Sequence, residues 1–344
     1  MTAPASASSP ARIYSGTPRN LSRLARVLRA GGLVAVPTET VYGLAANALD
    51  ATACRKIFKA KGRPSNDPLI VHIRSLKQLS AIAEPNEAAL KLARRFWPGP
   101  LTIVLPKRSI VPPIVSSGLP SVAVRMPRHP LFRRLLKLVD LPLAAPSANP
   151  FGYVSPTSAA HVDAGLGRKI QHILDGGSCT IGVESTIVDL RDPSFPCLLR
   201  PGAVTRAQLE STLGTRVRIA PRRTSAHAQI APGLLTRHYS PRTPSVLHDR
   251  IPPASAAKSS PREAWVFVQR PRGLTGKNIF WLDERGRLRG VARNLFQTLR
   301  RVDAGGFARI HLERADGSGL ADAINDRLQR AAGGAHVRAS TRHR

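Results

Sequence analysis

Short apolar runs alternate with helix-period segments along nearly the whole chain, and the alternation fails only once, between Thr215 and Pro244. Strand and helix periods that take turns in this way predict layered α/β structure, and one long break predicts two domains. Before the break, 33–36, 69–73, 101–105, 121–125, 141–145, 171–174 and 186–190 read as strands, and 21–28, 51–60, 87–96 and 130–138 as helices. Asn20 is the expected N-cap of the first helix, and Gly31 and Gly32 end it. After the break, strand runs at 245–247, 265–268, 279–282 and 308–312 flank helices carrying Val291, Leu295 and Leu299, then Leu320, Ile324 and Leu328. That order predicts a smaller, doubly wound parallel α/β domain. The expected layout is a disordered leader 1–13, a mixed-sheet domain 14–205, a linker 206–243, the small domain 244–335 and a basic tail 336–344. A structureless connection this long is uncommon unless it serves a purpose.

At 344 residues, 42% hydrophobic and 21% charged, the chain can bury two cores, which excludes a disordered tail or a mini-protein. Fifty-two Lys and Arg against 21 Asp and Glu leave +31, a balance that favours phosphate- or carboxylate-bearing partners. Residues 1–200 and 201–344 hold 26 basic residues each, so no single tail carries the surplus. An Arg-heavy, Ala-heavy, Lys-poor proteome bias is the alternative explanation for much of this surplus and needs no function. Cys54, Cys179 and Cys197 form no C-x-x-C, which argues against a zinc ribbon or a disulfide framework. No run approaches the ~18 apolar residues of a spanning helix, so a cytoplasmic chain without membrane contact is expected.

Five polar clusters sit beside the apolar runs: 37–44 (PTETVYGL), 61–68 (KGRPSNDP), 121–127 (SVAVRMP), 146–150 (PSANP) and 182–186 (GVEST), with Arg200 closing a further run. Each has an ordinary structural explanation: a capping box, a cationic last helical turn, a snorkelling arginine, a turn. His72, alone on a strand, reads equally well as a core imidazole. Together they describe a basic cleft for an anionic substrate, with no G-x-S-x-G nucleophile, Walker A loop or G-x-G-x-x-G among them. From residues alone, a cleft that holds an RNA backbone remains an open alternative.

The strings PTETVYGL, KGRP, PLIVHI, WPGPLT, SVAVRMPRHP, APSAN, GVESTIVD, LRPG and PGLLTRHYSP, running from about Tyr14 to Gly333, resemble the long, two-domain form of the threonylcarbamoyl-AMP synthase family. The resemblance implies a YrdC-like mixed twisted sheet with a basic cleft, joined to the smaller doubly wound domain. It implies that L-threonine, bicarbonate and ATP, with Mg²⁺, give L-threonylcarbamoyl-AMP and pyrophosphate, and that separate tRNA threonylcarbamoyl-transfer proteins use the product beside the anticodon. Carried over residue by residue, it places Thr40, His72, Arg125, Ala145 and Ser185 around threonine. Around ATP it places Lys61, Arg63, Asp67, Ser121, Ser147, Asn149, Ser155 and Arg200, with Arg237, His238 and Tyr239 in a linker lid. Lys61 and Arg63 would be the catalytic pair, and no protein metal ligand is implied. Direct contact with tRNA stays open. Asp67, Phe151 and the Leu235-Thr236 pair depart from the family pattern.

Overall fold

The computed structural model describes residues 10–221, 230–232, 239–333 and 335–337. Eleven strands form the larger sheet. They are β1 (Arg12–Tyr14), β2 (Val34–Val36), β3 (Gly43–Asn47), β4 (Ile70–His72), β5 (Leu101–Pro106), β6 (Ser121–Arg125), β7 (Leu143–Ala144), β8 (His172–Leu174), β9 (Thr186–Asp189), β10 (Cys197–Arg200) and β11 (Arg218–Ile219). Their spatial order is β1-β8-β2-β3-β7-β4-β6-β5-β9-β10-β11. The helices of this domain are α1 (Pro18–Arg29), α2 (Ala51–Lys61), α3 (Leu76–Ile82), α4 (Glu87–Phe96), α5 (Pro130–Val139), α6 (Ala159–Leu166) and α7 (Arg206–Leu213). Thr17, not Asn20, caps α1: its side chain accepts the Asn20 N–H, and Pro18 takes the first helical position, where a missing N–H costs nothing. Asp50 caps α2, and Gly62 ends it in the left-handed conformation at φ 64°.

Strand alternation gives the sheet two faces with different covers. Leu44, Val71, Ile103 and Val124 point to the side filled by α2, α4 and α6. On the other side α1 and α5 pack over Val34, Val36, Ala45 and Leu143. The rest of that second face carries Ile70, Val104, Ala123 and Ile187, and there Ala231 of the connecting segment is the cover.

The second sheet holds β12 (Ser245–His248), β13 (Glu263–Gln269), β14 (Ile279–Asp283), β15 (Arg309–Glu313) and β16 (His336–Val337), in the order β14-β13-β15-β12-β16. All its pairings are parallel. α9 (Leu288–Asp303) and α10 (Leu320–Ala331) pack on one face, and the short α8 (Pro253–Ala257) lies with Trp265 and Phe267 on the other. No helix among the described residues is long and apolar enough to cross a membrane.

Three expected boundaries move. Arg12–Tyr14 pairs with β8, so the leader is shorter than 1–13. Residues 206–219, expected as linker, contain α7 and β11, which pairs with β10 while Val217 is fully buried. His336–Val337 pairs with β12 inside the expected tail. β1, β11 and β16 each hold only one or two apolar residues beside an arginine or histidine, so no apolar run marks them.

The small domain's core does not end at its own boundary: Val41, Val154 and Val183 of the first domain pack into it. Gly182, at φ +85°, rests on α9, where a Cβ would lie 2.4 Å from the Ala292 carbonyl oxygen and 2.5 Å from Arg293 Cα. Gly182→Ala should therefore destabilise the chain by about 2–4 kcal/mol, from the left-handed backbone and the overpacked joint together. Urea unfolding checks this; a variant as stable as the wild type would mean that the domains are not closely docked.

Candidate active site

The register of the second face brings the polar clusters together. His72 pairs with Arg125, and Arg125 with Thr102, so these three side chains share one side of neighbouring strands. Thr102 pairs with Ile187, which places Ser185, two residues earlier, on the same side. The 37–42 loop, read as a candidate capping box, precedes a strand instead. It is shaped by Thr38, whose hydroxyl donates to the Val41 carbonyl (2.6 Å) and accepts the N–H groups of Thr40 (3.1 Å) and Val41 (3.2 Å).

A cavity lies over this face, lined by Thr40, Arg63, His72, Arg125, Ala145, Ser147, Glu184, Ser185 and Arg200 among others. Pro232 and Tyr239 of the connecting segment close it. The enclosed space is about 40 Å³, on a scale where a water needs roughly 10–15 Å³.

Buried guanidinium groups dominate the electrostatics. Arg125 Nη2 lies 2.7 Å from Glu39 Oε1, Nη1 donates to the Thr40 hydroxyl (2.9 Å) and Nε to the Gly99 carbonyl (3.2 Å). Burial alone would raise the Glu39 carboxyl, but Arg125 and the N–H of Arg128 (3.1 Å) outweigh it and hold the group below its ordinary value. Arg63 pairs with Asp67 at 3.0 Å and donates to the carbonyls of Asp67 and Pro68. Asp67, a departure from the family pattern, is thus offset by the cation beside it. Arg200 donates through Nε to the Ser185 carbonyl (3.1 Å) and through Nη2 to the Ser185 hydroxyl (3.2 Å), and reaches the Pro232 carbonyl at 3.3 Å and Tyr239 Oη at 3.5 Å. Among the described residues no carboxylate stands within ion-pair distance of Arg200, and 222–229 and 233–238 contain no Asp or Glu. Burial pushes its pKa down.

Some expected residues stand back from the cavity. Lys61, fully desolvated with its pKa driven well down by burial and by Arg63, donates to the carbonyls of Ser147 and Asn149 at 2.6 Å each. It fixes the 147–149 turn and does not reach the cavity wall. Asn149 donates to Pro150 and Tyr153, and its buried Oδ1 has no partner among the described residues. Ser121 is likewise buried with an unpartnered hydroxyl, and Ser155 donates to Glu184 Oε1 at 2.6 Å. Arg237, His238, Leu235 and Thr236 lie outside the described residues. Phe151 contributes its backbone, donating to the Lys61 carbonyl. Glu39, Thr102 and Glu184 were not singled out in the sequence, although Glu39 and Glu184 are the lone acids of PTETVYGL and GVEST.

Residues 26–202 match the Sua5/YciO/YrdC family model, described as telomere recombination, and residues 204–333 match that of the threonylcarbamoyl-AMP synthase C-terminal domain. Threonylcarbamoyl-AMP synthase of Pyrococcus abyssi is 43% identical over 89% of this chain and 92% of its own length. The chain belongs to the threonylcarbamoyl-AMP synthase family. The Bacillus subtilis member is 39% identical over 92% of this chain and 94% of its own. The crystal structure of P. abyssi Sua5 complexed with L-threonine superposes with a TM-score of 0.89 at 40% identity, covering 95% of this chain and 99% of that one.

His72 gives the synthase fold a pH signature. Burial, reinforced by Arg125, pushes its pKa from 6.5 to about 3, so the folded chain keeps it neutral where the unfolded chain protonates it. Its contribution to stability is complete above pH 6.5 and drains away as pH falls toward 3, by up to about 1.4 kcal/mol per pH unit. Unfolding free energies of the wild type and His72→Gln, measured from pH 7 to 4, should diverge in slope by about that amount. Parallel slopes would show that His72 titrates normally.

Proposed function

We propose that the chain joins L-threonine, bicarbonate and ATP into L-threonylcarbamoyl-AMP and pyrophosphate in the cavity over the second sheet face. The observation that carries the ATP half is Arg200, a buried cation with no carboxylate within ion-pair distance among the described residues, the Glu184 carboxylate of the same cavity being engaged by Ser155 and Arg327. A buried charge without a counter-charge is costly, and a phosphate oxygen supplies the missing one. Arg63 lines the same cavity, and the Ser185 hydroxyl is held between Arg200 and Thr102 (2.8 Å).

Threonine is assigned to the part of the cavity where Arg125 fixes the Thr40 hydroxyl, with neutral His72 and small Ala145 also in the lining. The threonine amine attacks the bicarbonate carbon and water leaves, giving a carbamate. A carbamate oxygen then attacks the α-phosphorus, and pyrophosphate departs. No protein nucleophile is required: the residues position the reactants and stabilise charge. Mg²⁺ would arrive with the triphosphate and neutralise its oxygens, since Glu184, the carboxylate on the wall, has both oxygens engaged by Ser155 and Arg327. The product is a mixed anhydride, so the reaction that consumes it is acyl transfer to a nucleophile such as a tRNA adenosine amine, by separate proteins.

Pyrophosphate release from ATP should require threonine and bicarbonate together, and release with either omitted, or none with both, would contradict the reading. Thr40→Val, which keeps the shape and removes the hydroxyl, should raise the threonine KM about tenfold and leave the ATP KM within about twofold. Equal increases in both would place threonine elsewhere.

A further inference from the structure

Glu184 faces the same cavity as Arg200, and a carboxylate there should repel a phosphate. What offsets it comes from the other domain. Arg327 of α10, fully buried, donates through Nε to Glu184 Oε2 at 2.9 Å and through Nη2 to the Glu184 carbonyl at 3.5 Å. Its Nη1 reaches the Pro201 carbonyl (2.8 Å), directly after Arg200, and Asp326 Oδ2 (2.9 Å). Its guanidinium carbon stands 5.5 Å from the centre of the Tyr239 ring, which itself packs against Phe296 of α9. The other Glu184 oxygen accepts from Ser155, whose own carbonyl accepts from Arg300 of α9 at 3.3 Å. One side chain of the small domain thus touches three parts of the cavity's phosphate side: the Glu184 wall, the backbone after Arg200, and the Tyr239 cover.

We infer that Arg327 is a positioning residue for the ATP half of the site, and that the small domain completes that half by holding the Glu184 charge away from Arg200. Without it, Glu184 is a buried, uncompensated carboxylate whose nearest available cation is Arg200, and an Arg200–Glu184 pair would consume the charge meant for phosphate. The threonine half is insulated, because Arg125 has its own counter-ion in Glu39. The inference rests on the ATP assignment proposed above.

The test uses the full chain and measures pyrophosphate release against ATP and against threonine for the wild type, R327A, R327K, E184Q and R327A/E184Q. R327A should raise the ATP KM at least about tenfold with the threonine KM within about twofold, and R327K should recover part of the loss. If charge compensation is the role, R327A/E184Q should return the ATP KM to within about threefold of E184Q alone, since a neutral amide needs no counter-ion. An ATP KM unchanged in R327A, equal rises in both constants, a fall in kcat that merely follows a lower melting temperature, or a double variant no better than R327A would each overturn it. Should R327A not fold, the R327K and double variants carry the same comparison. A wild type that releases no pyrophosphate sinks the assigned reaction itself, whereas an active wild type with an indifferent R327A sinks this inference alone.

Discussion

Four guanidinium groups are buried around one half of one sheet face, and burial is affordable for a cation only with a counter-charge. Arg125 has Glu39, Arg63 has Asp67 and Arg327 has Glu184. Arg200 has hydroxyl and carbonyl oxygens but, among the described residues, no carboxylate. Each of the three pairs balances its own charge, and Arg200 is the cation among these four that hydroxyl and carbonyl oxygens alone hold. The proposed phosphate site rests on that imbalance.

The fold supplies the frame through register. His72, Arg125 and Thr102 are adjacent because β4 and β6 run parallel while β5 runs antiparallel to β6. Each contributes from the open face, while the intervening Val71, Val124 and Ile103 fill the helix-covered core. The connecting segment is then the natural cover: Ala231 packs on the apolar part of the face, and Pro232 and Tyr239 close the polar part.

Much of this was legible in the residues. The alternation that predicts layers, the long central strands and helices, and the parallel small domain come from hydrophobic periodicity, and β6 (Ser121–Arg125) and α4 (Glu87–Phe96) have the expected bounds. β1, β11 and β16 were not, because each holds only one or two apolar residues beside an arginine or histidine and forms no apolar run. The clusters at 37–44 and 182–186 were visible as polar breaks, but their use depends on register, which strand spacing does not encode. Arg327 left no trace: it sits in an amphipathic helix beside Asp326 and Arg330, where a sequence reader sees an ordinary charged face. Its burial follows from a domain joint made by Gly182, Val183 and α9, a tertiary fact.

The most direct test of the charge-balance account is a pair of measurements on Arg200→Met: unfolding free energy without ligand, and ATP affinity by titration calorimetry. Removing an unpaired buried charge should leave stability within about 1 kcal/mol of the wild type while ATP affinity falls about a hundredfold or more. A variant that binds ATP as tightly as the wild type but loses about 3 kcal/mol or more of stability would show that Arg200 holds the fold together and that the phosphate is held elsewhere.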